Sequence, residues 1–306
     1  MKAVFMSQRN IPAIASPADT LTTWAEQFNT TLMDMLGGSS TVPAKLAEAV
    51  RYAAGSGGKR VRPYIVTRVC ELCGGSSEQA APAAVAIECV HAFSLVHDDL
   101  PAMDDDDFRR GQPTCHKAYG EAVAILAGDA LLTLAFEILA TRIEDPAVIA
   151  ATVRELADGT GWAGMIGGQT VDILSENEAP AIELVEHIHR YKTARLFECS
   201  ARLGALSAQA SDDQVAKAGE FGLWLGRAFQ IADDLLDVTG TAEQMGKAVA
   251  KDADAGKQTY PATIGLDASR VAAKDAVDRA IAALDVFGPA ADDLRRLTEF
   301  VIHRKK

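Results

Sequence analysis

The 306-residue sequence predicts an all-α fold, a single helical domain. Three observations carry that reading. Apolar residues recur at three- and four-residue spacing over long stretches, the period of a helix face. No stretch alternates cleanly at two residues for long enough to build a sheet, and β-branched residues are scattered among abundant alanines. Long apolar segments end at glycine pairs or at a proline, where helices stop. No fixed-period repeat and no linker divides the chain.

Residues 1–19, with Pro12 and Pro17, read as a loosely ordered arm, and residues 20–306 as the domain. From Thr20, Leu21, Trp24, Phe28, Leu32 and Met35 mark a first helix, closed at Gly37-Gly38. A second runs from about Pro43 to Ala54, before Gly55-Ser56-Gly57-Gly58. A third starts between Lys59 and Pro63, since proline suits a first turn, and ends before Gly74-Gly75. Residues 78–100 form a long apolar helix that Pro101 cannot continue. Further helices are expected over 119–142, 147–174, 180–207, 212–237 and 260–265, with a charged pair after 267. The 147–174 segment carries Gly159, Gly161, Gly164, Gly167 and Gly168, tolerable where a helix or a ligand comes close.

Composition narrows the function. The chain is 48% hydrophobic with a net charge of −12, which argues against a nucleic-acid partner and for a soluble, cytoplasmic protein. The most apolar stretch, Ala122 to Ala140, is interrupted by Asp129 and Glu137, so stable membrane insertion is not expected. Five cysteines without framework spacing suggest reduced thiols, and the Cys70-Cys73 pair reads as helix core.

Chemistry concentrates at residues 97–111, where six carboxylates fall within ten positions and Arg109-Arg110 follow. Such a cluster needs counter-ions or water around each charge. A divalent cation with oxygen ligands meets the need, and Mg²⁺ is typically shared between carboxylates and substrate phosphates. A second acidic motif, Asp233-Asp234-Leu235-Leu236-Asp237, lies far downstream. On a helix Asp233 and Asp237 share a face and Asp234 points roughly 100° away. Basic groups gather at Lys59-Arg60-Val61-Arg62, at Lys192-Thr193-Ala194-Arg195, and at Lys247, Lys251 and Lys257. Two helices presenting carboxylates across a cavity, with cations nearby, suggest two phosphate sites, one bridged by metal.

These motifs (GGKRVRP, ECVHAFSLVHDDLPAMDDDDFRRGQPTCH, GGQTVDI, YKTARL, FQIADDLLDV and GKQTYP) together resemble the trans-isoprenyl diphosphate synthases, most of all the bacterial farnesyl type. The resemblance runs from about residue 20 to the C-terminus. It implies an isoprenoid-synthase-type helical bundle, a homodimer and head-to-tail prenyl transfer from dimethylallyl or geranyl diphosphate to isopentenyl diphosphate. It further implies three Mg²⁺ ions on Asp98, Asp104 and Asp233, with Asp99, Asp234 and Asp237 supporting them. Lys59, Arg62, His91 and Arg110 would hold isopentenyl diphosphate, with Arg60 a neighbour. Arg109, Lys192, Lys257 and Lys247 would hold the allylic diphosphate. Thr193, Gln230 and the Lys192 carbonyl would face the allylic cation, and Gln169 and Asp172 would order the metal's waters. Phe93, five residues before Asp98, would floor the product tunnel at fifteen carbons; a geranylgeranyl product is the alternative. A terpene cyclase fits less well because the second motif is fully aspartate. A non-catalytic subunit fits less well because both motifs are intact. Asp105, Asp106 and Asp107 are expected on a solvated loop, and His97, His116, His187 and His189 as ordinary structural histidines.

Overall fold

A computed structural model describes residues 16–37, 40–176, 178–239 and 258–303. Helix α1 spans Pro17–Met35, α2 Ala44–Gly55, α3 Val61–Leu72 and α4 Ser77–Asp98. After a loop come α5 Cys115–Tyr119, α6 Glu121–Arg142, α7 Pro146–Thr160, α8 Met165–Leu174 and α9 Ile182–Ile188. A π-helical turn, His189–Ala194, joins α9 to α10 Arg195–Ser207. The chain ends with α11 Asp212–Thr239, α12 Tyr260–Ile264, α13 Leu266–Ala283, a 3₁₀ segment Asp285–Ala291 and α14 Asp292–His303.

The first helix begins three residues before Thr20, because the Ser16 hydroxyl accepts from the Asp19 N–H and Pro17 fits the first turn. The segment 147–174 is two helices rather than one. Gly161, with extended backbone, caps α7, and Gly164, at φ −117° and ψ −134°, caps α8. The segment 180–207 is likewise interrupted, by the π turn. One pair of strands exists among the described residues: β1 Phe108–Arg109 pairs antiparallel with β2 Gln112–Pro113.

Helix α10 is central, packing on α3, α4, α7 and α11. On one side α4 packs on α6, and their apolar faces join those of α1 and α2 around Leu32, Ile87 and Leu131. On the other, α11 packs on α13, with Phe221, Leu225 and Leu294 at the centre. Helices α4 and α6 are both long and apolar enough to cross a membrane. In this bundle Ala124, Ala127, Leu131, Ala135 and Leu139 of α6 are buried, whereas its opposite side exposes Ile125, Leu126, Asp129 and Glu137.

Candidate active site

A cavity of about 950 Å³ opens between the two halves, lined by Leu21 of α1, Arg62 of α3, His91 of α4, Phe197 of α10, Gln230 of α11 and Phe300 of α14. Lys59, Arg109, Arg110, Thr193 and Asp233 line it as well. Leu21 and Phe300, 279 positions apart in sequence, therefore meet at one space through the packing of these six helices.

The cationic side is built by the turn before α3. Gly57 and Gly58 have φ of 82° and 120°, and a Cβ on Gly58 would lie 2.6 Å from the Arg110 guanidinium carbon. Glycine there lets Arg110, itself left-handed at φ 54°, lay its guanidinium on the turn and donate to the Gly57 carbonyl. Arg62 stacks on the Phe197 ring at 4.6 Å, and its Nε is buried with no hydrogen-bond partner among the described residues. Burial, with Arg110 nearby, lowers its pKa to about 10, opposed by Glu88 and Asp233, so it stays charged. Burial first, then Arg62, Arg110, Arg60 and Arg109, hold His91 well below the usual imidazole range, and it is neutral at neutral pH. Lys59 is exposed at the rim. Arg60 also lines the cavity but is committed to structure: it bonds Glu88, the Asn29 Oδ1 at 3.0 Å and the Ala54 carbonyl at 2.7 Å, tying α1, α2 and α4 together.

The first aspartate motif straddles the end of α4. Asp98 is the last helical residue and Asp99 the cap. The chain then folds back, with the Asp104 N–H on the Asp98 carbonyl at 2.8 Å, which brings Asp104 beside Asp98. Burial, reinforced by Asp104 and Asp99 and opposed by Lys192 and Arg109, raises the Asp98 carboxyl to about 6. Gln169 donates to Asp98 at 3.0 Å, while its own Oε1 is buried without a partner among the described residues. A carboxylate this poorly compensated, with a buried acceptor beside it, fits a hydrated divalent cation. Asp99 is buried against Arg109, whose Nε and Nη2 reach Oδ1 at 2.7 and 2.6 Å.

The expected solvated loop is more ordered than its composition suggests. Asp107 pairs with Lys117 at 2.6 Å, Asp106 lies 3.8 Å from Arg109, and Asp105 adopts φ 49°. Asp105, Asp107 and His116 bring oxygen and nitrogen atoms within 4.8 Å of one another, and Lys117 already supplies positive charge there.

On the facing side the π turn delivers Lys192 and Thr193. A Cβ on Gly168 would sit 2.2 Å from the Lys192 amide nitrogen, so α8 reaches the π turn only because glycine is there. Lys192 pairs with Asp172 at 2.5 Å, and the Thr193 hydroxyl donates to Gln230 at 2.8 Å. π-Helical turns of this kind occur often at functional sites. In the second motif Asp233 lines the cavity, Asp237 is half-buried and Asp234 points into the protein, as the helical spacing requires.

Asp98, Asp104, Gln169 and Lys192 cluster beside the cavity rather than on its wall, and Phe93 is buried in the core, edge-on to His97 at 5.5 Å. Lys247, Lys251 and Lys257 lie outside the described residues. Of the histidines set aside from sequence, His97 bonds the Ile125 carbonyl at 3.1 Å and His187 is exposed. His189 is buried against Asp234, a partner 45 positions away that no local pattern signals.

Comparison with known proteins agrees with this geometry. Residues 43–286 match the polyprenyl synthetase family model. The chain is 43% identical to the Escherichia coli farnesyl diphosphate synthase over 85% of its own length and 90% of that protein's. It is 48% identical to the Arabidopsis thaliana heterodimeric geranylgeranyl pyrophosphate synthase large subunit 1 over 74% of its length, spanning 63% of that longer relative. An apo FPP/GFPP synthase structure from Zymomonas mobilis superimposes with a TM-score of 0.81 at 38% identity, covering 93% of this chain and 99% of the other. The chain belongs to the polyprenyl synthetase family, as its paired aspartate motifs and their facing cations foretell.

Proposed function

We propose that the protein is a Mg²⁺-dependent prenyltransferase that condenses isopentenyl diphosphate with dimethylallyl and geranyl diphosphate to give farnesyl diphosphate and diphosphate. The observation that carries the reading is the meeting of Lys59, Arg62, His91 and Arg110 with Asp233 around one cavity, and of Asp98 with Asp104 beside it. The cations suit one diphosphate directly, and the carboxylates suit a second through metal.

Arg62, braced on Phe197, and Arg110, braced on Gly57, offer guanidinium donors to the isopentenyl diphosphate, with Lys59 at the rim. Neutral His91 adds a hydrogen bond without repelling them. Asp98, Asp104 and Asp233 would hold Mg²⁺, which supplies Lewis-acid neutralisation of the charge that grows on the leaving diphosphate. The allylic carbon–oxygen bond breaks with its electron pair going to diphosphate. The isopentenyl double bond then forms the new carbon–carbon bond, and loss of a proton to the released diphosphate restores an alkene. Thr193 and Gln230 present oxygens to the electron-deficient carbon, while Phe197, Phe229 and Leu95 keep water from trapping it. Lys192 is at hand for the allylic diphosphate once it exchanges Asp172 for the substrate.

Farnesyl is the favoured product on two grounds: the bulky, buried Phe93 one and a half turns below Asp98, and identity to the E. coli synthase over nine tenths of its length. The plant relative named for geranylgeranyl pyrophosphate supports a twenty-carbon product as the second reading. Homodimer formation is supported by the side of α6 that exposes Ile125 and Leu126 in a strongly apolar helix. The test is incubation with isopentenyl diphosphate and either allylic substrate, with Mg²⁺ or with chelator, followed by chromatography of the products. Fifteen-carbon product from wild type and longer chains from Phe93→Ala support the reading; no Mg²⁺-dependent prenyl product overturns it.

A further inference from the structure

Asp234 is the buried end of a hydrogen-bond chain that reaches the cavity. Its carboxylate accepts from the Tyr260 backbone N–H at 2.9 Å and lies 3.2 Å from His189 Nε2, both on Oδ2. On Oδ1 it accepts from the Gln230 side-chain amide at 3.2 Å. A carboxylate has no proton to give, so Gln230 must turn its NH₂ toward Asp234 and its carbonyl the other way. That carbonyl accepts from Thr193, and the threonine's one proton is thereby committed away from the substrate. The Thr193 oxygen is left with lone pairs alone, on a side chain that lines the cavity.

His189 faces a similar constraint. It is 3% exposed, stacks on the Tyr260 ring at 5.1 Å, and its Nδ1 has no partner among the described residues. A proton on Nδ1 would orphan a buried donor and set the Nε2 lone pair against a carboxylate oxygen. With the proton on Nε2 the donor is satisfied and Asp234 gains a third hydrogen bond.

We infer that His189 is a positioning residue: its Nε2–H, with the Tyr260 N–H, fixes Asp234, and Asp234 sets the direction of the Gln230–Thr193 chain so that Thr193 presents only acceptor lone pairs to the cavity. The inference rests on the prenyl-transfer reading, because only a substrate carbon that becomes positive gains from an acceptor-only surface. A threonine free to rotate could instead donate its proton to diphosphate, and the stabilising orientation would be diluted.

Two measurements test it. Nitrogen-15 NMR of the labelled wild-type enzyme, with the His189 ring signals assigned through bonds to its own backbone, reads the tautomer without any substrate. A pyrrole-like Nε2 and pyridine-like Nδ1 are expected; the opposite pattern overturns the inference. Kinetics then compare His189→Gln, whose amide nitrogen falls near Nε2, with His189→Asn, whose amide nitrogen falls near Nδ1. The glutamine variant should keep kcat within about threefold, and the asparagine variant should lose about tenfold or more at an isopentenyl diphosphate KM within about twofold. Equal kcat in the two variants overturns the positioning role, since a merely structural histidine would be missed equally in both. If the variants do not fold, the wild-type tautomer decides. A wild type that forms no prenyl product would instead overturn the prenyl-transfer reading while leaving the tautomer measurement valid.

Discussion

The two aspartate pairs, Asp98-Asp99 at the end of α4 and Asp233-Asp234 within α11, make the same division of labour by different means. In each, the first aspartate is half-buried by the cavity region and the second is 3% exposed. Asp99 is neutralised by a guanidinium, Arg109, which itself lines the cavity. Asp234 is held by a backbone N–H, an amide and an imidazole, with no arginine or lysine among its hydrogen-bond partners in the described residues. The first pair sits where a helix gives way to a turn, so its partner comes from ten residues along the same chain. The second sits mid-helix and must draw partners from α12 and the π turn. A doubled aspartate therefore offers one ligand and one anchor, and the anchor's partners decide what else the motif organises. Around Asp99 that is a cation for substrate; around Asp234 it is the orientation of neutral oxygens.

The largest expected effect falls on the half-buried member of each pair. Asp98→Ala and Asp233→Ala should each lower kcat by about 10²-fold or more, as removing a group that acts chiefly in the transition state does. Steady-state turnover checks this, and activity within about threefold of wild type in both would break the division into ligand and anchor.

The anchors should show themselves in stability. Asp234→Ala leaves three donors, two of them buried, without an acceptor and should cost about 3–5 kcal/mol. Asp99→Ala should cost only about 1–3 kcal/mol, because Arg109 is partly exposed and still has Asp106 within 3.8 Å. Denaturant unfolding of the metal-free proteins measures both, and equal costs would erase the contrast between a charged and a neutral partner set.

A smaller effect separates the ligand from its own burial cost. Asp98 has a folded-state pKa of about 6, above its ordinary value of 3.8. The folded protein therefore holds a proton that the unfolded chain releases in this window. The associated stability is fully present below about pH 4 and lost as pH rises through about 6. Asp98→Asn, which still accepts from Gln169, should stabilise the metal-free protein by about 1–2 kcal/mol at pH 7, allowing for partial solvent screening, and by almost nothing near pH 4. Melting curves in chelator at the two pH values test it, and a variant destabilised at pH 7 would refute it.

Much of this contrast was legible in the sequence, and the limits are physical. Periodicity placed the helices to within a few residues, and four-residue spacing alone separated Asp233 and Asp237 from Asp234. The cation turn was legible because Gly57-Gly58 adjoin Lys59 and Arg62. Hidden were the breaks at Gly161–Gly164 and at the π turn, since helical apolar spacing continues on both sides of each. Arg60 shows why composition misleads: like Lys59 and Arg62 it lines the cavity, but its side chain is committed to Glu88, with its backbone left-handed at φ 49°. His189 and Tyr260 were invisible as partners of Asp234, because tertiary packing alone joins residues 26 and 45 positions away.

The smallest expected effect isolates which part of Tyr260 matters. Its backbone N–H holds Asp234, whereas its hydroxyl points outward, 3.2 Å from both Glu186 and Arg227. Tyr260→Phe removes the outer contacts and keeps both the N–H and the ring that stacks on His189. Losing these two long hydrogen bonds to a partly exposed ion pair should together cost about 0.5–1.5 kcal/mol of stability. Because Arg227 retains Glu186 at 2.9 Å, the loss should sit near the lower end. If Asp234 is anchored from the inside, kcat and product length should match wild type in this variant. A drop in kcat comparable to that of His189→Asn would mean that the outer Arg227–Glu186 pair also orients the chain, and the anchor would then extend to the protein surface.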